Sequence, residues 1–394
     1  MKALDDIFVL DLSRVLAGPW ATQILGDLGA DVVKVERPGR GDDTRGWGPP
    51  FLTDPETGAI GDASYFLCAN RNKRSIALDI ATPEGQETIR ALAARADVLV
   101  ENYKVGGLKK YGLDYASLSQ INPRLIYCSI TGFGQDGPLA GKAGYDFMIQ
   151  AMGGMMSITG ERDGLPGSGP QKAGIALADL TTGLYATIGI LGALHQRERT
   201  GRGQYIDMAL LDTQVAMLSN HAASYFLSGK VPGRLGNGHA TIVPYQSFPT
   251  ADGHLVIAVG NDGQFARLAA ALGHPEWGSD ARYVTNAARV ANRAELIPMI
   301  EAETVKHPSA ALQATLEACV VPCGQINTID KVFDEPQVRH RGMKRTVAHP
   351  LAAELPVGAS PLRLSESPVS YDRAPPTVGQ HTAEVLREKL GRDG

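Results

Sequence analysis

The chain has 394 residues, 43% of them hydrophobic and 20% charged, with a formal net charge of −4. That length exceeds a usual single domain, so two domains, or one large domain with an insertion, are expected, with ample core. Interspersed charges with a slight acidic excess exclude nucleic acid and an anionic membrane as main partners. The opening MKALDDIFVLDLSR has acids inside its apolar run and no small-residue cleavage site, so it does not read as a signal peptide. No uninterrupted apolar run reaches the length of a membrane span. Cys68, Cys128, Cys319 and Cys323 lie in apolar settings and read as buried thiols in a reducing cytoplasm. Cys319-Val-Val-Pro-Cys323 lacks the spacing and the partners of a metal or redox site.

In chain order, Ile7–Leu12 (IFVLDL) reads as a buried strand, then a loop SRVLAGP, then a helix from about Trp20 to Leu28, ended by Gly29. Asp31–Glu36 (DVVKVE) is the next strand and completes a βαβ unit. Residues 38–62, rich in Gly, Pro and Asp, form a long loop of the kind that is often functional. Ser75–Asp79 is a strand; Thr82 then caps a helix with Pro83 in its first turn. Asp97–Glu101 and Leu125–Thr131 continue the alternation, which predicts a mostly parallel, doubly wound sheet.

Such a sheet suggests a dinucleotide, yet the chain has no G-x-G-x-x-G and no G-x-x-x-x-G-K-[ST]. Polar and basic residues nevertheless follow the strand ends: Arg14, Arg37 and Asn102. Ligands bind outside the carboxyl ends of parallel strands, so this recurrence points to an anionic ligand.

Lys172–Asp212 holds a lone carboxylate, Asp179, followed by Thr181, Thr182 and then Leu184, Ile188, Leu191 and Leu194 at helical spacing. Thr200-Gly201 stops that helix, with Gly201 free to take the left-handed cap. Asp179 therefore stands at or near a helix N-terminus. A cap worth about 1 kcal/mol and an ionised nucleophile both suit that position. After Asp212 a helical run reaches Lys230. Residues 236–319 then read as a smaller domain, with a strand over His254–Gly260 and helices from Gln264. The tail shows a strand-like SPLRLS around Leu362 and a closing helix that starts at Thr-Ala-Glu.

Several blocks in order carry a resemblance: VLDLSRVLAGPWATQILGDLGADVVKVERPGRGDDTR, NRNKRSIALDI with TPEG, DVLVENYKVGGL, the Asp179 stretch ending in ALHQRERTGRGQYID, VPCGQINTIDKVF, and GQHTAEVL. Across essentially its whole length the chain resembles the class III CoA-transferases, the family of formyl-CoA transferase, the carnitine CoA-transferases and α-methylacyl-CoA racemase. Within that family GHATIVPYQSFPTADGHLVIAVGNDGQF is most similar to the succinyl-CoA:glutarate branch.

The resemblance implies an α/β fold: a Rossmann-like large domain over residues 1–220, completed by 330–394, and a smaller α/β domain over 236–319. Two chains would interlock as linked rings in a homodimer. It implies that Asp179 is the nucleophile and that coenzyme A meets Val15, Leu16, Arg37, Lys73, Asn102, Tyr103, Lys110, Lys142 and Tyr145. Lys110 stands where formyl-CoA transferase carries Arg, which weakens a bidentate phosphate contact there. Gly260-Asn261-Asp262-Gly263-Gln264 occupies the place of a glycine-rich lid. Arg45 or His239 would meet the distal carboxylate of a dicarboxylic acid; a solvated loop residue or a CoA phosphate contact is the alternative for Arg45. No metal and no nucleoside triphosphate are implied, since one thioester is exchanged for another. The racemase branch places His in a Gly-His-Asp segment where this chain has Gly144-Tyr145-Asp146, and Tyr, with an ordinary pKa of about 10, is a poor base near neutrality. A non-catalytic acyl-CoA-binding protein is the alternative from another class.

Overall fold

The computed structural model describes residues 1–392. Six short stretches pair into one sheet: β1 (Phe8–Asp11), β2 (Asp31–Glu36), β3 (Lys73–Ala77), β4 (Val98–Glu101), β5 (Ile126–Thr131) and β6 (Tyr205–Ala209). Their order is β3-β2-β1-β4-β5-β6, and every neighbouring pair is parallel. Both faces are covered, which is why the inner strands read as near-continuous apolar runs. Val9 of β1 faces one core with Leu25, Ala186 and Ile190, while Leu10 faces the other with Val33, Ile89, Leu92 and Val385. The chain winds outward from β1 to β3, then returns to start β4 beside β1. That reversal opens a crevice at the carboxyl ends of β1 and β4, the place where open α/β sheets hold ligands.

Three helices matter for the crevice: α1 (Ala17–Asp27), α2 (Asp146–Met152) and α3 (Leu177–Thr200). Helix α1 starts three residues before the expected Trp20. Gly201 ends α3 at φ +71°, the left-handed cap that glycine takes without a Cβ penalty. By length and average composition alone α3 could cross a bilayer, although polar residues interrupt its apolar run. Its Ala186, Ile190 and Ala193 are buried in the sheet core, however, so its apolar face serves tertiary packing.

The described chain divides into two units. The larger contains Met1–Met155, Ala173–Leu227 and the part from Gln337 on; the smaller contains Met156–Lys172 with Ser228–Pro336. Met156–Lys172, read from sequence as part of the large domain, belongs to the smaller unit because its hydrogen bonds go there: Gly236 N–H to Gly160 O at 3.0 Å, and Arg234 to Asp163. The smaller unit has a three-stranded antiparallel sheet, Tyr245–Thr250, Gly253–Ala258 and Cys323–Gln325, over a core of Phe248, Ile257, Phe265, Leu296 and Leu316.

Three further expectations need correction. The stretch around Leu362 is not a strand, and both Leu362 and Leu364 are exposed with no ladder to join; the tail's strands are the hairpin Lys344–His349/Ala352–Gly358. The helical run after Asp212 breaks between Leu210–Ala216 and Ser219–Ser228, where Ser219 takes φ +45°. Of the cysteines, all free, only Cys128 is fully buried, and Cys68 is exposed.

Candidate functional site

Loops from the two central strands meet in the crevice. The Asn102 side chain accepts the Arg14 N–H at 2.9 Å and donates to the Arg14 carbonyl at 2.7 Å, so the loop after β4 holds the loop after β1. Between them lies a cleft of about 190 Å³ lined by Val15, Leu16, Asn102, Tyr103, Lys142, Tyr145 and Asp179. Gly132 and Gly144 cross closely on its far wall: a Cβ on Gly144 would come within 2.4 Å of the Gly132 Cα, so only glycine fits there.

Val15 adopts φ +69°, a left-handed conformation that is an outlier for a β-branched residue. Such strain costs roughly 1–3 kcal/mol and persists only where the surroundings over-determine it.

Asp179 is the third residue of α3. The residue that enters the helix is Ala176, and no side chain of the helix's own caps it, so Asp179 is not an N-cap. The cap comes from α2 instead. The Asp146 Oδ1 accepts the N–H of Ala178 at 2.7 Å and of Asp179 at 3.3 Å, while its Oδ2 accepts from Gln150 at 2.7 Å. Gln150 in turn accepts the Ala173 N–H at 2.9 Å, which anchors the approach to α3. Among the described residues no donor reaches the Asp179 carboxylate. Burial first, and the neighbouring Asp146 charge second, push its pKa up to about 7. The helix N-terminus pulls the other way.

A second cleft of about 390 Å³ adjoins the first and shares Arg14, Tyr103 and Lys104 with it. Arg37, Lys104 and Lys110 line this one together with the acids Asp43 and Asp79.

Two expected contacts stand elsewhere. Lys73 is fully buried: its ammonium donates to Asp11 (3.1 Å), the Pro19 carbonyl (2.9 Å) and Asn70 (2.9 Å), which leaves it no donor for a ligand. Arg45 is likewise enclosed. Its guanidinium pairs with Glu36 and Asp62 at 2.6 Å each, donates to the Pro376 carbonyl, and stacks on the Phe66 ring at 3.6 Å. Neither a free carboxylate nor a CoA phosphate can reach those donors, and Arg45 is not a solvated loop residue either.

His239, Gly260, Asn261, Gly263 and Gln264 belong to the smaller unit. There Asn261 caps the helix Asp262–Ala271 by accepting the Gln264 N–H at 2.9 Å, and the Gln264 side chain accepts the Gly260 N–H at 2.7 Å. The expected glycine-rich lid is thus a capped helix start. The His239 Nδ1 accepts the Thr241 N–H at 3.2 Å.

Sequence reasoning missed Asp146, Lys34 and Asp42. Asp146 was weighed only as part of a racemase segment, although an Asp that opens a helix beside Tyr145 is a signal in itself. Lys34 is one of three charged residues in the strand Asp31–Glu36, with nothing in the pattern to single it out. Asp42 was one acid among several in a loop. Among the described residues no group of three or more His, Cys, Asp or Glu could hold a metal ion.

A parallel doubly wound sheet with its clefts at the β1/β4 reversal places the chain in the α/β class of ligand-binding folds. Residues 4–382 match CoA-transferase family III. The chain is 51% identical to a succinate–glutarate CoA-transferase of Agrobacterium fabrum, over 98% of this chain and 95% of that protein. It is 47% identical to a succinyl-CoA:glutarate CoA-transferase of Mus musculus, over 100% of this chain and 88% of that one. A solved CAIB/BAIF family protein from Brucella suis superposes with a TM-score of 0.87 at 51% identity, over 98% of this chain and 99% of that chain. The chain belongs to CoA-transferase family III. It is an acyl-CoA:carboxylate CoA-transferase, with coenzyme A as thioester partner.

Proposed function

We propose that this enzyme moves coenzyme A from succinyl-CoA to a dicarboxylic acid such as glutarate, with Asp179 as nucleophile. The observation that carries the reading is the Asp179 carboxylate, buried in the switch-point cleft with no donor bound to it among the described residues. The names of the two relatives at 47–51% identity support the substrate pair.

The ionised carboxylate attacks the thioester carbonyl, and the tetrahedral adduct expels CoA thiolate to leave an aspartyl–succinyl anhydride. The thiolate attacks the aspartyl carbonyl, which forms an enzyme–CoA thioester and releases succinate. The acceptor carboxylate then attacks that thioester, giving a second anhydride and CoA thiolate. Attack of the thiolate on the acceptor's acyl carbon yields the new acyl-CoA and restores Asp179. A partly desolvated carboxylate with no protein donor is a stronger nucleophile than a fully hydrated one, and burial of Asp179 favours that state. Leu16 and Ala17 open α1 without a side-chain cap and both residues line the same cleft, so their backbone amides are assigned as the oxyanion donors.

The cleft residues Val15, Leu16, Asn102, Tyr103, Lys142 and Tyr145 are assigned to coenzyme A, with Arg37 and Lys110 at its phosphates. Leu184, Tyr185 and Ile188 of α3 and Phe147 of α2 are exposed in the single chain. A homodimer that covers them fits this apolar surface. Free cysteines suit a reducing cytoplasm.

Incubation with succinyl-CoA and no acceptor, followed by borohydride or hydroxylamine trapping and peptide mass analysis, should mark Asp179. A label on Cys128 or Cys319 would sink the assignment.

A further inference from the structure

We infer that Asp42, held by Lys34, is a positioning residue for the acyl-CoA cleft: it locks Val15 in its left-handed conformation and so aims the start of α1 toward Asp179. This rests on the cleft being the acyl-CoA site. Nothing in the loop's own sequence asks for φ +69° at Val15. The conformation is imposed by side chains from other elements, which take the polar atoms of the turn in succession. Asp11 accepts the Ser13 N–H at 2.9 Å, and Asn102 clamps both backbone groups of Arg14. The Val15 N–H lies 3.3 Å from both oxygens of Asp42. Lys34 joins the pieces by donating to the Ser13 carbonyl at 2.8 Å and to Asp42 at 3.0 Å.

Lys34 and Asp42 are an unusual pair for so plain a task, since their side chains are 1% and 0% exposed. Burial works against both charges, but the opposing charges nearby outweigh it: Lys34 stands above its ordinary pKa and Asp42 below. Asp42 is anchored in turn by the N–H and hydroxyl of Thr44 at 3.0 and 2.9 Å. The turn is therefore tied to β2 and to the loop after it as well as to β4. Because Leu16 follows Val15 directly and opens α1, the Val15 backbone angles set where the first amides of α1 point.

The test is a double-mutant cycle between Asp42 and Val15, with succinyl-CoA and glutarate as substrates. Asp42→Asn keeps the shape and removes the charge; kcat/KM should fall at least tenfold. Val15→Gly, which removes a cleft-lining side chain, sets its own baseline. Glycine holds φ +69° without strain, so the double variant D42N/V15G should recover at least fivefold over D42N. Calorimetric binding of CoA in an Asp179→Ala background should follow the same pattern. That arm needs no transfer, so a failure of the Asp179 assignment would show as retained turnover in D179A while the coupling stands. Wild-type kcat/KM in D42N, or losses in D42N and V15G that simply multiply, would overturn the inference. If D42N does not accumulate as folded protein, D42N/V15G decides: it must fold and transfer, and its failure would assign Asp42 to charge balance in the core alone.

Discussion

Replacing Asp179 with Asn separates the cost of the buried carboxylate from its chemistry. In the folded chain the carboxyl titrates at about 7, against 3.8 ordinarily. Between these values the folded protein holds a proton that the unfolded chain has released, so stability falls as pH rises across that window. A gap of about three pH units at about 1.4 kcal/mol each gives on the order of 4 kcal/mol of destabilisation, fully present above pH 7. The cleft is open to solvent, which makes this an upper figure. An amide at that position cannot ionise, so the D179N variant escapes the penalty. It does bury an amide without a partner, at a cost of about 1–3 kcal/mol that does not change with pH. The midpoint of D179N relative to wild type should therefore climb from pH 5 to pH 8 by several degrees, at about 2 °C per kcal/mol for a unit of this size. Thermal unfolding of both proteins at pH 5, 6, 7 and 8 measures it, and groups common to both cancel in the difference. Turnover of D179N should drop by about 10⁴-fold or more, in line with loss of a nucleophile. Midpoints that move in parallel across the whole range would refute the desolvated carboxylate.

The ionised form is the nucleophile, so kcat/KM of the wild-type enzyme should rise with pH through about 7; a rate flat from pH 5.5 to 8.5 would contradict this. Asp146→Asn keeps the acceptor for the Ala178 amide and removes the like charge, which should move that midpoint to lower pH by part of its displacement, since burial is the larger cause. Dicarboxylic acids of four or five carbons should outrun butyrate by at least about 100-fold as acceptors, because a site built for a distal charge is left unpaired without it; equal rates with butyrate and succinate would remove the dicarboxylate assignment. Arg45→Met should cost about 3–5 kcal/mol by stranding Glu36 and Asp62, with no change in preference among acids; altered acid selectivity in the folded protein would return Arg45 to the site.

What the sequence determined by itself was local and periodic. Asp31–Glu36 is a strand with the predicted bounds, Thr82 and Pro83 open their helix as capping chemistry requires, and Gly201 closes α3. The α/β alternation and the family blocks were legible for the same reason: each depends on neighbours within a few residues or on ordered motifs. Strand β6 escaped because Tyr205–Ala209 sits between two helical patterns and shows its role only when paired with β5. Tertiary structure alone decided which charges are available. Lys73 starts a strand, Arg37 follows one and Arg45 sits in the loop beyond it, and sequence could not tell which of the three cations is free. Only the fold shows that Asp11 encloses the first, that Glu36 and Asp62 enclose the second, and that Arg37 lines an open cleft. The cap on α3 is of the same kind, since Asp146 reaches it from more than thirty residues upstream. A carboxylate's partner is set by distance in space, and that distance does not exist until the chain has folded.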